Sequence, residues 1–165
     1  MVKAQDITEQ NGRRVIKDTP LVEITLRKYE MPYDTDEREL LKKFCLSIGL
    51  LQPGDSRDIV VDVLHVLLKA KRNSEIMDSE NIRKLVIELR NKEGLPLTGV
   101  ASSNIRRQLK RLRDLHLAEK IKNQYRITEF ESMLKTFEEK IEDFILPSII
   151  KRVKEYFKEI DNKFS

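Results

Sequence analysis

The chain of 165 residues has one cysteine, Cys45, and no tryptophan. A lone thiol closes no internal disulfide and builds no cysteine-based zinc site. It fits a reducing, intracellular setting, where Cys45 is expected to be a small packed residue. The two histidines, His65 and His116, lie far apart, and no carboxylate set is spaced to make His65 a metal ligand. His65 is therefore expected to be a core histidine, with no metal bound. Glycine is scarce, at five residues. There is no glycine-rich phosphate loop, no nucleophile elbow and no HExxH pair. Glu23 and Lys28 lack the upstream Asp of a nuclease strand. Asp34, Asp36, Glu37 and Glu39 read as a solvated helix start. The expectation is a protein that is not an enzyme and takes no cofactor. No run approaches the 18 apolar residues of a membrane span, and the first residues lack the apolar stretch of a secretory leader. A cytoplasmic, nucleoid-associated place follows as an expectation.

Charge is what the chain has in abundance. Lys and Arg number 32 and Asp and Glu 28, for a net +4, with 36% of residues charged. High Lys and Glu with few Gln resembles the proteomes of high-temperature organisms. The positive charge is local. Residues 103–126 hold eight basic side chains and two acidic ones, so the rest of the chain is slightly negative. A concentrated basic stretch is an electrostatic footprint for a polyanion.

Patterning gives the element order. Asn11-Gly12 signals a hairpin between Ile7-Thr8 and Arg13–Ile16. Val22, Ile24 and Leu26 alternate with Glu23 and Thr25, which predicts a further strand, so residues 5–29 read as a small β element. Asp34–Glu37 open a helix running to about Ser47, with Leu40, Leu41, Phe44 and Ile48 inward. Residues 57–71 are apolar nearly all round and belong in the centre. Glu75–Met77 is a short extended piece. A helix from about Glu80 to Lys92 turns Ile82, Leu85, Val86 and Leu89 inward.

After a Gly/Pro loop at 94–99 comes the basic helix, Ser103 to about Leu115. Ile105, Leu109 and Leu112 form one apolar stripe. Ser103, Arg107 and Lys110 point opposite, flanked by Asn104, Arg106 and Arg111. Ser102 or Ser103 is placed to cap it. Leu117–Ile121, a turn over Lys122-Asn123-Gln124, and Tyr125–Thr128 then make a β-hairpin.

The order from residue 57, with the phrase Leu109–Lys120 and the return strand Tyr125-Arg126-Ile127-Thr128-Glu129, resembles the winged helix-turn-helix superfamily of prokaryotic and archaeal transcription regulators. The resemblance spans roughly residues 57–129. The longer loop at 94–99 departs from its pattern. It implies a mainly α fold with small β elements (α+β). Residues 1–52 form an N-terminal β-and-helix extension, 53–129 the winged-helix domain and 130–165 a helical dimerisation segment. It implies double-stranded DNA as the partner, with helix 103–115 in the major groove. Ser103, Asn104, Arg106, Arg107, Lys110 and Arg111 then face bases or phosphates. Lys122, Asn123, Gln124 and Arg126 form a wing over 118–128, and Ser79 with the start of its helix offers phosphate donors.

Phe130, Leu134, Phe137, Ile141 and Phe144 step by four and three, as an a/d seam does. Pro147 interrupts the seam, and Ile149 or Ile150, Val153, Phe157, Ile160 and Phe164 resume it. Two helices, or one kinked helix, are expected. Such seams outside a winged-helix core imply a homodimer in these regulators, with Phe130, Leu134, Phe137, Ile141, Phe144, Val153, Phe157 and Ile160 at the interface. The rival reading is a winged helix used for protein–protein contact in a chromosome or transcription assembly. RNA binding is weaker, because only Tyr125 offers a stacking ring near the wing. A small-molecule effector is not specified by any residue.

Overall fold

The computed structural model describes residues 9–10, 13–14 and 18–165. It is mainly helical with a small antiparallel sheet, an α+β chain. The helix expected as most apolar, α2 (Ile59–Lys71), lies at its centre. Val61, Val63 and Leu64 have no exposed surface. Around α2 pack α1 (Glu37–Ser47), α3 (Ser79–Lys92) and α4 (Ser102–Asp114). Carboxylates start two of these helices: Asp36 accepts from the Glu39 N–H and Asp78 from the Asn81 N–H, both at 2.8 Å. The strands β3 (Met77–Asp78), β4 (Ala118–Ile121) and β5 (Gln124–Ile127) form a sheet in the order β3-β5-β4, with Tyr125 opposite both Met77 and Lys120. Cys45, Leu50 and Leu51 share one buried cluster with α2, α3 and α4, so the core crosses the boundary expected at residue 52.

Strands β1 (Glu9–Gln10) and β2 (Arg13–Arg14) pair antiparallel, as the hairpin signal requires. Ile7, Thr8, Asn11, Gly12, Val15 and Ile16 lie outside the described residues. The strand expected over 21–26 does not form. Among the described residues that stretch pairs with no other strand, and Leu21 is 95% exposed. It runs as an extended strap across the end of α1. The Arg27 N–H donates to Ser47 O at 2.7 Å, and its guanidinium to Leu46 O and Leu51 O at 2.7 and 3.1 Å. The crossing needs glycine at position 49. Gly49 has φ +78°, and a Cβ there would meet the Thr25 Cβ at 2.6 Å. Alternation was the correct signal of an extended chain with one apolar side, but Ile24 and Leu26 use that side to cover Phe44 and Ile48 around a cavity of about 350 Å³.

Two inward faces differ from the periodicity. Leu40 and Leu85 are exposed, while Arg90 on α3 is buried. Arg90 faces Asp62 of α2, itself fully buried. One Arg90 nitrogen donates to Asp58 at 3.0 Å and to Asp62 at 2.5 Å, and Nε donates to Pro96 O at 2.7 Å. Arg38 of α1 completes the group, reaching Asp58 at 2.8 Å and Asp62 at 3.2 Å. Two arginines and two aspartates thus tie α1, α2, α3 and the 94–99 loop together. Burial raises the Asp58 carboxyl, but the Arg38 and Arg90 hydrogen bonds and charges outweigh it and hold the group below its ordinary value.

The C-terminal segment is one helix rather than two. After a 3₁₀ turn (Thr128–Phe130), in which Glu129 and Phe130 both have positive φ, α5 (Met133–Thr136) passes directly into a π-helical stretch (Phe137–Ile145) and then α6 (Leu146–Phe164). Pro147 does not break it. It falls in the first turn of α6, after i→i+5 bonding in which the Leu146 N–H reaches Ile141 O. The wide turns also shift the seam by one residue. Ile141 is buried and Phe137 half-buried, but Phe144 is 76% exposed, and Ile145 and Leu146 turn inward in its place. Phe130, half-buried, packs within the chain, where the Arg126 guanidinium lies 4.8 Å from its ring.

Burial pushes the Cys45 thiol up to about 12. At pH 8 its thiolate fraction, and so its alkylation rate in the folded protein, should fall about a thousandfold below that of an ordinary cysteine. Mass-spectrometric timing of labelling, with and without denaturant, measures this. Fast labelling of the folded chain would show that the thiol is not enclosed.

Candidate nucleic-acid interface

Helix α4 has two opposed faces. Ile105, Leu109 and Leu112 are fully buried against α2 and α3. Ser103, Arg106, Arg107, Lys110 and Arg113 are exposed on the other side. The helix start differs from the expected cap: Ala101 is the N-cap and no side chain bonds there. Asn104 instead reaches back to the loop, donating from Nδ2 to Gly99 O at 2.6 Å. Gly99 has φ +90°, and an added Cβ would meet Ile59 at 3.2 Å and Asn104 Nδ2 at 3.3 Å. The departure of the 94–99 loop from the winged-helix pattern is thus pinned at its exit by Asn104 and near its centre by Arg90.

The expected contact residues divide by their partners. Arg106 makes no hydrogen bond or ion pair among the described residues, nor does Arg113, which lies beyond the expected set, and Arg107 bonds only to Asn104 Oδ1, at 3.1 Å. Lys110 pairs with Asp114 at 2.9 Å on the exposed face, an i,i+4 contact that water screens. Arg111 turns inward instead. It donates to Leu50 O at 2.6 Å and to Gln108 Oε1 at 2.8 Å, bracing α4 against the α1–α2 connection. Asn104 likewise has its oxygen occupied, by Arg107 and by Gln108 at 3.0 Å.

On the hairpin, Lys122 and Asn123 form the two-residue tip, with Lys122 at φ +48°. Gln124 is exposed beside them. Arg126 lies away from the tip, paired to Glu119 at 2.6 Å. Glu119 also accepts from the Glu129 N–H at 2.9 Å, so this pair fixes the exit of the hairpin. Lys120 stands 5.6 Å from the Tyr125 ring. The first turn of α3, expected to offer phosphate donors near Ser79, is capped by Asp78 and carries Glu80. That negative end does not suit a phosphate.

Two basic residues were not in the expected set, Arg113 near the end of α4 and Arg57. Arg57, from the loop before α2, joins Arg107, Ser103, Asn104, Thr98 and Gly99 around a concavity of about 370 Å³ at the start of α4. Only the tertiary fold brings Arg57 there, since it lies about fifty residues upstream of α4. The surface that remains is a cationic arc of Arg57, Arg106, Arg107, Lys110 and Arg113, with Lys122 at the hairpin tip.

The other singled-out groups lie away from it. His65 is buried, with Nε2 2.9 Å from Glu37 Oε2. Hydrogen bonds from His65 and Arg72 hold the Glu37 carboxyl below its ordinary value. No group of three or more His, Cys, Asp or Glu is placed to hold a metal among the described residues. No helix among them is long and apolar enough to cross a membrane. No model of a known protein family, no curated protein and no solved structure matches the chain.

Proposed function

We propose that this protein binds double-stranded DNA as a homodimeric transcription regulator of the winged-helix type. The observation that carries the reading is the division of α4, with three fully buried apolar residues on one side and four exposed cations, Arg106, Arg107, Lys110 and Arg113, on the other. The major groove, about 12 Å wide, admits one α-helix. Supporting it are the element order α2-β3-α3-α4-β4-β5 and the sheet order β3-β5-β4.

In this reading Ser103, Arg106 and Arg107 face base edges, where Arg suits guanine. Lys110, Arg113 and Arg57 meet the flanking phosphates. The wing is stubby, so Lys122, Asn123 and Gln124 reach the backbone. Asn104, Arg111 and Arg126 position these elements rather than touch DNA. Copies related by a two-fold axis place their α4 helices about 34 Å apart and read a palindromic site.

Mobility-shift titration of mixed-sequence duplex DNA tests this. About six phosphate contacts give a loss of roughly a thousandfold in affinity between 50 and 200 mM salt. No binding at the lower salt, or binding that salt leaves unchanged, sinks the proposal.

A further inference from the structure

Helix α6 buries none of its residues in the chain. Along it Leu146, Ile150, Val153, Phe157, Ile160 and Phe164 step by four, three, four, three and four, the spacing of a two-helix seam. Five of the six are exposed, and Leu146 is half-buried. The π-helical stretch sets this phase. Continued from Ile141 at ordinary α spacing, the inward positions after Ile145 would be Ser148, Arg152, Glu155 and Glu159, all polar. The wider π turns delay the rotation by about one residue, so Ile145 and Leu146 turn inward and the exposed apolar stripe runs on from Leu146.

We infer that α6 pairs with α6 of a second copy in antiparallel orientation, overlapping over its whole length with the two-fold axis at Glu155. This rests on the homodimer reading above and specifies its geometry. Two features select the orientation. The first is volume. A parallel pair stacks Phe157 on Phe157 and Phe164 on Phe164, next to a layer of two valines. A coil of even separation cannot fill such layers equally. The antiparallel pair sets Leu146 against Phe164, Ile150 against Ile160 and Val153 against Phe157, then repeats these in mirror order, so bulk is even from layer to layer.

The second is charge. The first half of α6 carries Lys151, Arg152 and Lys154 against Glu155, while the second half carries Glu159 and Asp161 among its lysines. A parallel pair places both cationic clusters together. The antiparallel pair sets Lys151 level with the partner's Glu159, with Arg152 next to it, and opposes the helix dipoles. It also carries the two bodies to opposite ends of the paired helices.

Spin labels on Ser148→Cys, Glu155→Cys and Asn162→Cys, made singly, test this on the full chain. All three positions lie on the face away from the seam, and buried Cys45 stays unlabelled. With 1.5 Å rise per residue, the two labels of a dimer are offset along the axis by about 0 Å at 155 and about 21 Å at both 148 and 162. Dipolar distances should therefore be shortest at 155 and equally longer at the other two. Equal distances at all three sites mean a parallel pair, and a minimum elsewhere means another overlap. Either overturns the proposed geometry and leaves the homodimer standing. Light scattering that finds only monomer overturns both. Val153→Asp should weaken self-association at least tenfold while leaving thermal unfolding of the body in place, because Val153 is exposed and α6 buries none of its residues in the core. Unchanged association would also overturn the pairing.

Discussion

Asp62→Ala is expected to destabilise the folded chain by about 3–5 kcal/mol, a large share of the 5–15 kcal/mol typical of a domain. Asp62 is 0% exposed and Arg90 3%. Removing the carboxylate leaves a guanidinium in the core with only Asp58 and the Pro96 carbonyl as partners. Arg38 loses one of its two acidic partners as well. A buried pair gains little over apolar residues of the same shape, because desolvation offsets the attraction. The harm comes from breaking one side of it. Asp62→Leu combined with Arg90→Met should therefore recover most of the loss, and denaturant unfolding of single and double variants measures the coupling. Additive single effects would show that the pair does not act as a unit. The same group sets an acid limit. Asp58 is depressed in the folded state, so its contribution is fully present above the unfolded carboxyl value of about 3.9 and disappears as pH falls through the lower folded value. Unfolding midpoints should hold at pH 5 and drop below about pH 4.

This group also shows where reading the sequence stops. The all-round apolar pattern of 57–71 was legible because burial on every face leaves few alternatives, and the helices, their order and the β4–β5 hairpin followed from period and turn chemistry. Asp62 sits inside that pattern as one polar residue, and Arg90 ends an amphipathic helix where a cation is ordinary. Nothing local says that they meet. The first part of the seam, up to Phe144, departs from its expected phase for a different reason. Its arithmetic assumed α spacing through Phe144, whereas the π turns insert a residue and hand the inward place to Ile145 and Leu146. The strap failed because alternation reports an extended chain with one apolar side, and covering Phe44 satisfies that as well as a partner strand does. At the candidate interface, helical phase placed Arg106 and Arg107 outward correctly. It could not separate Arg111, which lies on the border between faces, until Leu50 supplied a carbonyl within reach.

That separation gives the second large effect, and it can be checked without knowing the natural site. Arg106→Ala with Arg107→Ala should weaken binding to a duplex enriched from a randomised pool about a hundredfold or more, because each arginine that reads a base contributes roughly 1–3 kcal/mol of discrimination. Thermal unfolding should shift little, since both side chains are exposed and neither bonds to another element. Arg111→Ala should do the reverse. It removes the hydrogen bond to Leu50 O that joins α4 to the α1–α2 connection, and one to Gln108 within α4, so stability falls while the affinity of the folded fraction changes less. The salt slope distinguishes roles within the arc. Losing a phosphate contact in each copy, as expected for Arg57→Ala, lowers the slope by about 1.8 per dimer and weakens all sequences alike, whereas losing a base contact relaxes sequence preference at one position of each half-site. If the Arg106/Arg107 variant binds as the parent does, or if Arg111→Ala alone abolishes binding by a stable protein, then the outward face of α4 is not what meets the DNA.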